Sequence, residues 1–153
     1  MRPAASASAL ELIPPGYGKA RLGPIWYPSC MRNVKLVNIT RGEVLAGKAA
    51  VAETPGSRRR GLLSTDSLPD GEGLLIVACR QVHTFGMRYP IDVIFVDESW
   101  TVKRIVHAMK PGRLTTLVMS SRAVLELPAG KAAQTGTTMG DLLDALYSLT
   151  TSG

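Results

Sequence analysis

From Met31 onward, short apolar runs alternate with turn-forming residues at nearly regular spacing, and that punctuation restricts the chain to a β-rich fold. Val34 to Asn38 and Val44 to Glu53 read as two strands around the turn Thr40-Arg41-Gly42, with Val44, Ala46 and Val51 as inward candidates. Thr54-Pro55 reads as a helix entry, a capping threonine followed by a proline suited to the first turn, with Arg58 to Leu63 as the helical body. Gly73 to Val77 is a buried strand, and Ile91 to Val96 and Thr101 to Met109 form a hairpin around Asp97-Glu98-Ser99. Ala123 to Leu127 is a further strand, Gly130 to Gln134 a helical turn, and Asp141 to Leu149 fits strand or helix equally. The pattern predicts a mainly β, α+β domain, barrel-like or rolled, with about two short helices.

Residues 1–30 have a different texture. Pro3, Pro14, Pro15, Pro24 and Pro28 interrupt an Ala/Ser-rich stretch with no sustained period of 2 or 3.6, so this part reads as a flexible arm. Arg2 is followed by a segment broken by Ser6, Ser8 and Glu11, which does not suit a secretory signal. Met31 followed by an alternating run looks like a natural chain start, which would make the first 30 residues a start assigned too early. The 153 residues are enough for one domain, expected over residues 31–153.

The formal charge is +6, and the arm carries three cations and one acid, so the domain alone carries +4. Arg58-Arg59-Arg60 is the one run of like charge, and the other cations are scattered among acids. The aromatic residues Phe85, Tyr89, Phe95, Trp100 and Tyr147, with Tyr27 just before the domain, make no stacking platform. Nucleic acid is therefore not expected as a partner. No apolar run approaches the ~20 residues of a membrane span, so no membrane insertion is expected. Two cysteines, Cys30 and Cys79, make no disulfide framework and no paired zinc motif, and the expected compartment is the reducing cytoplasm.

Four landmarks in order are distinctive: RRRGLL (Arg58 to Leu63), GEGLLIV (Gly71 to Val77), FGMRYPIDVIFVD (Phe85 to Asp97) and VLELPAGKAAQTGTTMGD (Val124 to Asp141). Together they resemble the prokaryotic family called domain of unknown function 192, over about Val34 to Leu146. The resemblance implies a compact, mainly β, barrel-like domain and no agreed activity. Many members of that family have Trp where Gly86 stands, so chemistry around CRQVHTFGM would belong to this branch.

Three constellations are candidates for chemistry. Cys79 and His83 form a minimal nucleophile and base, but four residues apart on a strand they stand about 13 Å from each other, and only a turn would bring them together. The competing reading makes Cys79 a packed hydrophobe ending a strand and His83 a turn residue. Cys79, His83, Met87, His107 and Met109 are soft or borderline ligands without a two-pair motif, so neither a metal nor another cofactor is expected. Glu72, Asp92, Glu126 and Asp141 are the carboxylates within the family-like motifs, and Arg58 and Arg60 are their natural counter-charges. A structural ion pair from Arg60 to Asp92 or Glu126 explains the same residues. The leading expectation is a non-catalytic module for a small ligand or protein partner, with a cleft lined by Arg60, Cys79, His83, Phe85, Asp92 and Glu126. The alternatives are a hydrolase-like enzyme drawing on Cys79, His83 and Asp92, and an accessory protein of an envelope or secretion assembly.

Overall fold

The computed structural model describes residues 17–19, 33–54, 56–57, 61–63 and 65–148. Its elements in chain order are β1 (Tyr17–Lys19), β2 (Asn33–Asn38), β3 (Glu43–Ala52), β4 (Glu72–Val77), β5 (Ile91–Val96), β6 (Val102–Met109), β7 (Ala123–Pro128), α1 (Lys131–Gln134) and β8 (Leu143–Ser148). They form one eight-stranded sheet in the order β1-β8-β2-β3-β4-β7-β5-β6. Neighbours are antiparallel except β3 and β4, which run parallel and need a crossover between Ala52 and Glu72.

The sheet curls until its two sides nearly meet, giving a half-barrel. Val102 N–H donates to the Asp141 carbonyl, Gly140 N–H to the Val102 carbonyl and Leu143 N–H to the Trp100 carbonyl, each at 2.9 Å. These bonds join the start of β6 to the start of β8, with Thr101 bridging Leu142. A polar corner closes the seam. The buried Asn38 amide donates to Thr137 Oγ1 at 2.9 Å and to Asp141 Oδ2 at 3.0 Å, and Arg41 Nε reaches the same carboxylate at 2.9 Å. Burial alone would raise the Asp141 pKa, but the bonds from Arg41, Asn38 and the Thr138 N–H outweigh it and hold it below the usual carboxylate value.

Curling divides the core. Leu36, Leu45, Leu75, Ile94, Leu125 and Leu143 are among the residues of one buried cluster, while Ile76, Val82, Met87, Val93, Phe95 and Val124 belong to a second. Alternate residues of β4, β5 and β7 enter each cluster, so these central strands are covered on both faces, which explains their near-continuous apolar sequences. Gly73 lies tight against β7: a Cβ there would stand 3.0 Å from Leu127 Cδ2 and 3.1 Å from the Glu126 carbonyl oxygen.

The expected mainly β, barrel-like or rolled domain is what the chain forms, as a half-barrel, and the segment open between strand and helix contains strand β8. Of the arm, the described part is β1, paired with β8 from Tyr17 opposite Ser148 to Lys19 opposite Leu146. Of the first expected helix, Gly56 and Ser57 are helical, and Thr54 Oγ1 accepts the Ser57 N–H at 3.1 Å as an N-cap does. Arg58, Arg59 and Arg60 lie outside the described residues.

Candidate functional site

On the face of the second cluster, the chain after β4 leaves the sheet and makes a groove of about 230 Å³. Ala78 initiates the departure, with a left-handed backbone (φ 55°) that its N–H bond to the Arg122 carbonyl at 2.7 Å holds in place. Such a conformation costs a non-glycine residue of order 1–2 kcal/mol, and here it turns Cys79 out of the strand direction. Residues 80–84 then pair with 112–118. Val82 N–H donates to Thr115 Oγ1 at 3.0 Å, and Thr115 N–H returns to the Val82 carbonyl at 2.9 Å. Thr84 is the hub of this pairing: its buried hydroxyl donates to the Lys110 carbonyl at 2.7 Å and accepts the Arg113 N–H at 2.9 Å. The loop carrying His83 is thus fastened to a turn 26 to 29 residues away.

The groove walls are Leu62, Leu63, Ile76, Val82 and Met87, and its polar members are Cys79, Gln81, His83 and Glu126. Glu126 stands out physically. It lies on β7 opposite Leu74 of β4 and Val93 of β5 and is 4 % exposed, its carboxyl keeping a residual contact with the groove rather than being sealed without a partner. Desolvation raises its pKa from 4.5 to about 7, because the charged form has little water and no donor. Cys79 is half-buried, and its thiol donates to the Gln81 carbonyl at 3.1 Å. His83 is exposed and stacks on Phe85, ring centroids 5.4 Å apart and planes 20° from parallel. Leu114 bridges His83 through the backbone, so Leu63, Phe85 and Leu114 leave exposed apolar surface around the mouth.

The structure therefore brings Cys79, His83 and Glu126 to one groove and places Phe85 at its rim. It separates Asp92 from them. Asp92 pairs with Leu127 while its neighbour Val93 pairs with Glu126, so the two carboxyl groups leave the sheet on opposite faces. Asp92 is fully buried and structurally committed: Oδ1 accepts the Ala108 N–H and Oδ2 the Ala132 N–H, both at 2.8 Å. The second bond caps α1, whose own N-cap, Gly130, has no side chain to offer. The expected pair of carboxylates sharing one cleft is corrected accordingly, since Asp92 pins β6 and α1 while Glu126 alone enters the groove. Arg60, expected as their counter-charge, lies outside the described residues. Among the described residues no three His, Cys, Asp or Glu side chains are grouped to hold a metal ion. Gln81 and Met87 were not expected in the cleft. Their signal was present in CRQVHTFGM, as neighbours of Cys79 and His83 in a segment that has to turn.

Residues 36–145 match the model of a family described as uncharacterised ACR, domain of unknown function 192. The chain belongs to this family. A UPF0127 protein of Thermococcus sibiricus is 29% identical over 113 residues, 71% of this chain and 73% of the relative. A Novosphingobium aromaticivorans crystal structure of unknown function has a TM-score of 0.65 at 24% identity, covering 80% of this chain and 92% of that one. A Sinorhizobium meliloti protein described as a candidate transcription regulator has a TM-score of 0.63 at 22% identity, covering 80% and 98%. At these identities the two structures share the fold with this chain. No helix among the described residues is long and apolar enough to cross a membrane.

Proposed function

We propose that the chain is a non-catalytic binding module that seats a small ligand in the groove above Glu126. The observation that carries this reading is the Glu126 carboxyl itself, buried, unbonded among the described residues, and opening on a volume below the ~300–1,000 Å³ of drug-sized sites. A hydrogen bond to a charged group contributes about 1.5–3 kcal/mol, so a ligand donor placed against this carboxyl would be held with appreciable energy. The rim of Leu63, Phe85 and Leu114 adds apolar surface that a bound molecule would cover. Two cysteines that make no disulfide framework suit the cytoplasm as the place of action. A melting screen of metabolite-sized compounds tests the reading, since a molecule that binds the folded state raises the melting temperature. Compounds that stabilise the wild type and leave Glu126→Gln unmoved are expected. A library that moves neither protein, or both equally, would refute the site.

A hydrolase-like second reading has one observation in its favour: a carboxyl with a pKa of about 7 shares the groove with Cys79 and His83, in the range useful for general acid–base work. The contact of Cys79 Sγ with the Gln81 carbonyl and the stacking of the His83 ring on Phe85 favour binding over catalysis, because each side chain is engaged with a neighbour other than the other member of the pair. Iodoacetamide labelling of Cys79 in a Cys30→Ser background discriminates. Slow labelling that speeds up on unfolding supports the binding module, whereas rapid labelling at pH 6 that slows in His83→Ala puts the enzyme first.

A further inference from the structure

We propose that the groove takes a small organic cation, a primary amine or guanidine with a short apolar body, its charged head against Glu126 and its body between Leu62, Ile76, Val82 and Met87. This deepens the binding reading and rests on it. The argument begins with charge. Glu126 is the acid among the described groove residues, which include no lysine or arginine, and its cross-strand neighbours Leu74 and Val93 bring no counter-charge. The titratable groups that share the groove with it are Cys79 and His83. Gln81 donates one amide N–H to the Thr115 carbonyl at 2.9 Å and keeps its oxygen as an acceptor. At the rim, the stacked and exposed His83 and Phe85 rings offer aromatic surface of the kind that attracts cations. A cation would supply a donor that no described residue gives Glu126, and a charge-assisted bond is about twice as strong as a neutral one.

The opposite chemistry would be a neutral or anionic molecule that accepts the proton of an un-ionised Glu126. Three probes of nearly equal shape separate the two: phenethylamine, 2-phenylethanol and 3-phenylpropionate, followed by methyl NMR of the whole chain and of Glu126→Gln at pH 5.5 and 8.5. Phenethylamine is expected to shift the methyl signals of Leu62, Ile76, Val82 and Met87. It should bind about 30-fold more tightly at pH 8.5, because the competent ionised fraction of a group with a pKa of about 7 rises from about 3% to nearly all. That dependence should vanish in Glu126→Gln, and the wild-type dependence carries the test if the variant does not fold. Alcohol or propionate binding as tightly as the amine would overturn the cation and leave the groove standing. A pH dependence that survives Glu126→Gln would assign the effect to His83 and equally overturn the proposal. If none of the probes shifts a groove methyl, the binding reading fails with it.

Discussion

Asp92 and Glu126 sit one register step apart on adjacent strands, and both are removed from water, yet their surroundings differ completely. Each oxygen of Asp92 receives a backbone N–H at 2.8 Å, which ties β6 and the start of α1 to β5. For Glu126 burial is the cause that shifts its titration, with no hydrogen bond from a described residue beside it, and the side chain faces a groove. Burial by itself therefore does not make a carboxylate structural or functional. What separates the two is whether the fold supplies the donors. Where it does, the charge is part of the architecture. Where it does not, the group remains available to something from outside, and the fold pays with a raised pKa.

Breaking the satisfied side of this comparison should have the largest effect. Asp92→Ala leaves two backbone N–H groups without acceptors and should lower unfolding stability by about 4 kcal/mol, measured by urea denaturation. Asp92→Asn should recover part of that loss, because an amide has one oxygen for two N–H donors. A loss below about 1 kcal/mol for the alanine variant would mean that the N–H groups find other partners.

The same change of charge on the other face should act in the reverse direction. The Glu126 carboxyl is more easily protonated in the folded chain than in the unfolded one, so the folded state holds the extra proton between pH 4.5 and about 7. Stability is then fullest below pH 4.5 and falls as pH rises through that window, by about 3 kcal/mol in all. Glu126→Gln has no charge to desolvate. It should match the wild type near pH 4.5 and exceed it by about 3 kcal/mol at pH 8.5. Parallel pH–stability curves for the two proteins would show that Glu126 is solvated or paired after all.

The sequence made both carboxylates visible and could not separate them. Alternation within IDVIFV and VLELP shows which residues of one strand share a face, and it predicted strands in the right places. The register between strands comes from tertiary pairing, and one step of it carries a side chain from one face to the other. Asp92 and Glu126 therefore looked like partners. A turn after Cys79, with His83 as a turn residue, was one of the readings the sequence offered, but its attachment to Lys110 and Arg113 joins segments far apart in sequence, so Gln81 and Met87 had no visible reason to meet Glu126. Asp141 to Leu149 was ambiguous for a similar cause, the strand conformation of its part β8 being enforced by pairing with β2.

The smallest effect is expected from removing residues 1–30. Their described part, β1, adds three residue pairs to the outer edge of β8, remote in strand order from β5 and β7. Truncation should change stability by about 1 kcal/mol or less and leave the pH dependence due to Glu126 in place. A fall of several degrees in melting temperature would show that the arm belongs to the domain.

The most direct test is the titration of the Glu126 side-chain carboxyl in the ¹³C NMR spectrum of the folded protein, assigned by its loss in Glu126→Gln. A midpoint near pH 7 is predicted, following the rise from 4.5 caused by burial without a donor. A midpoint at or below 4.5 would mean that water or a charged partner reaches the carboxylate, and the contrast with Asp92 would collapse.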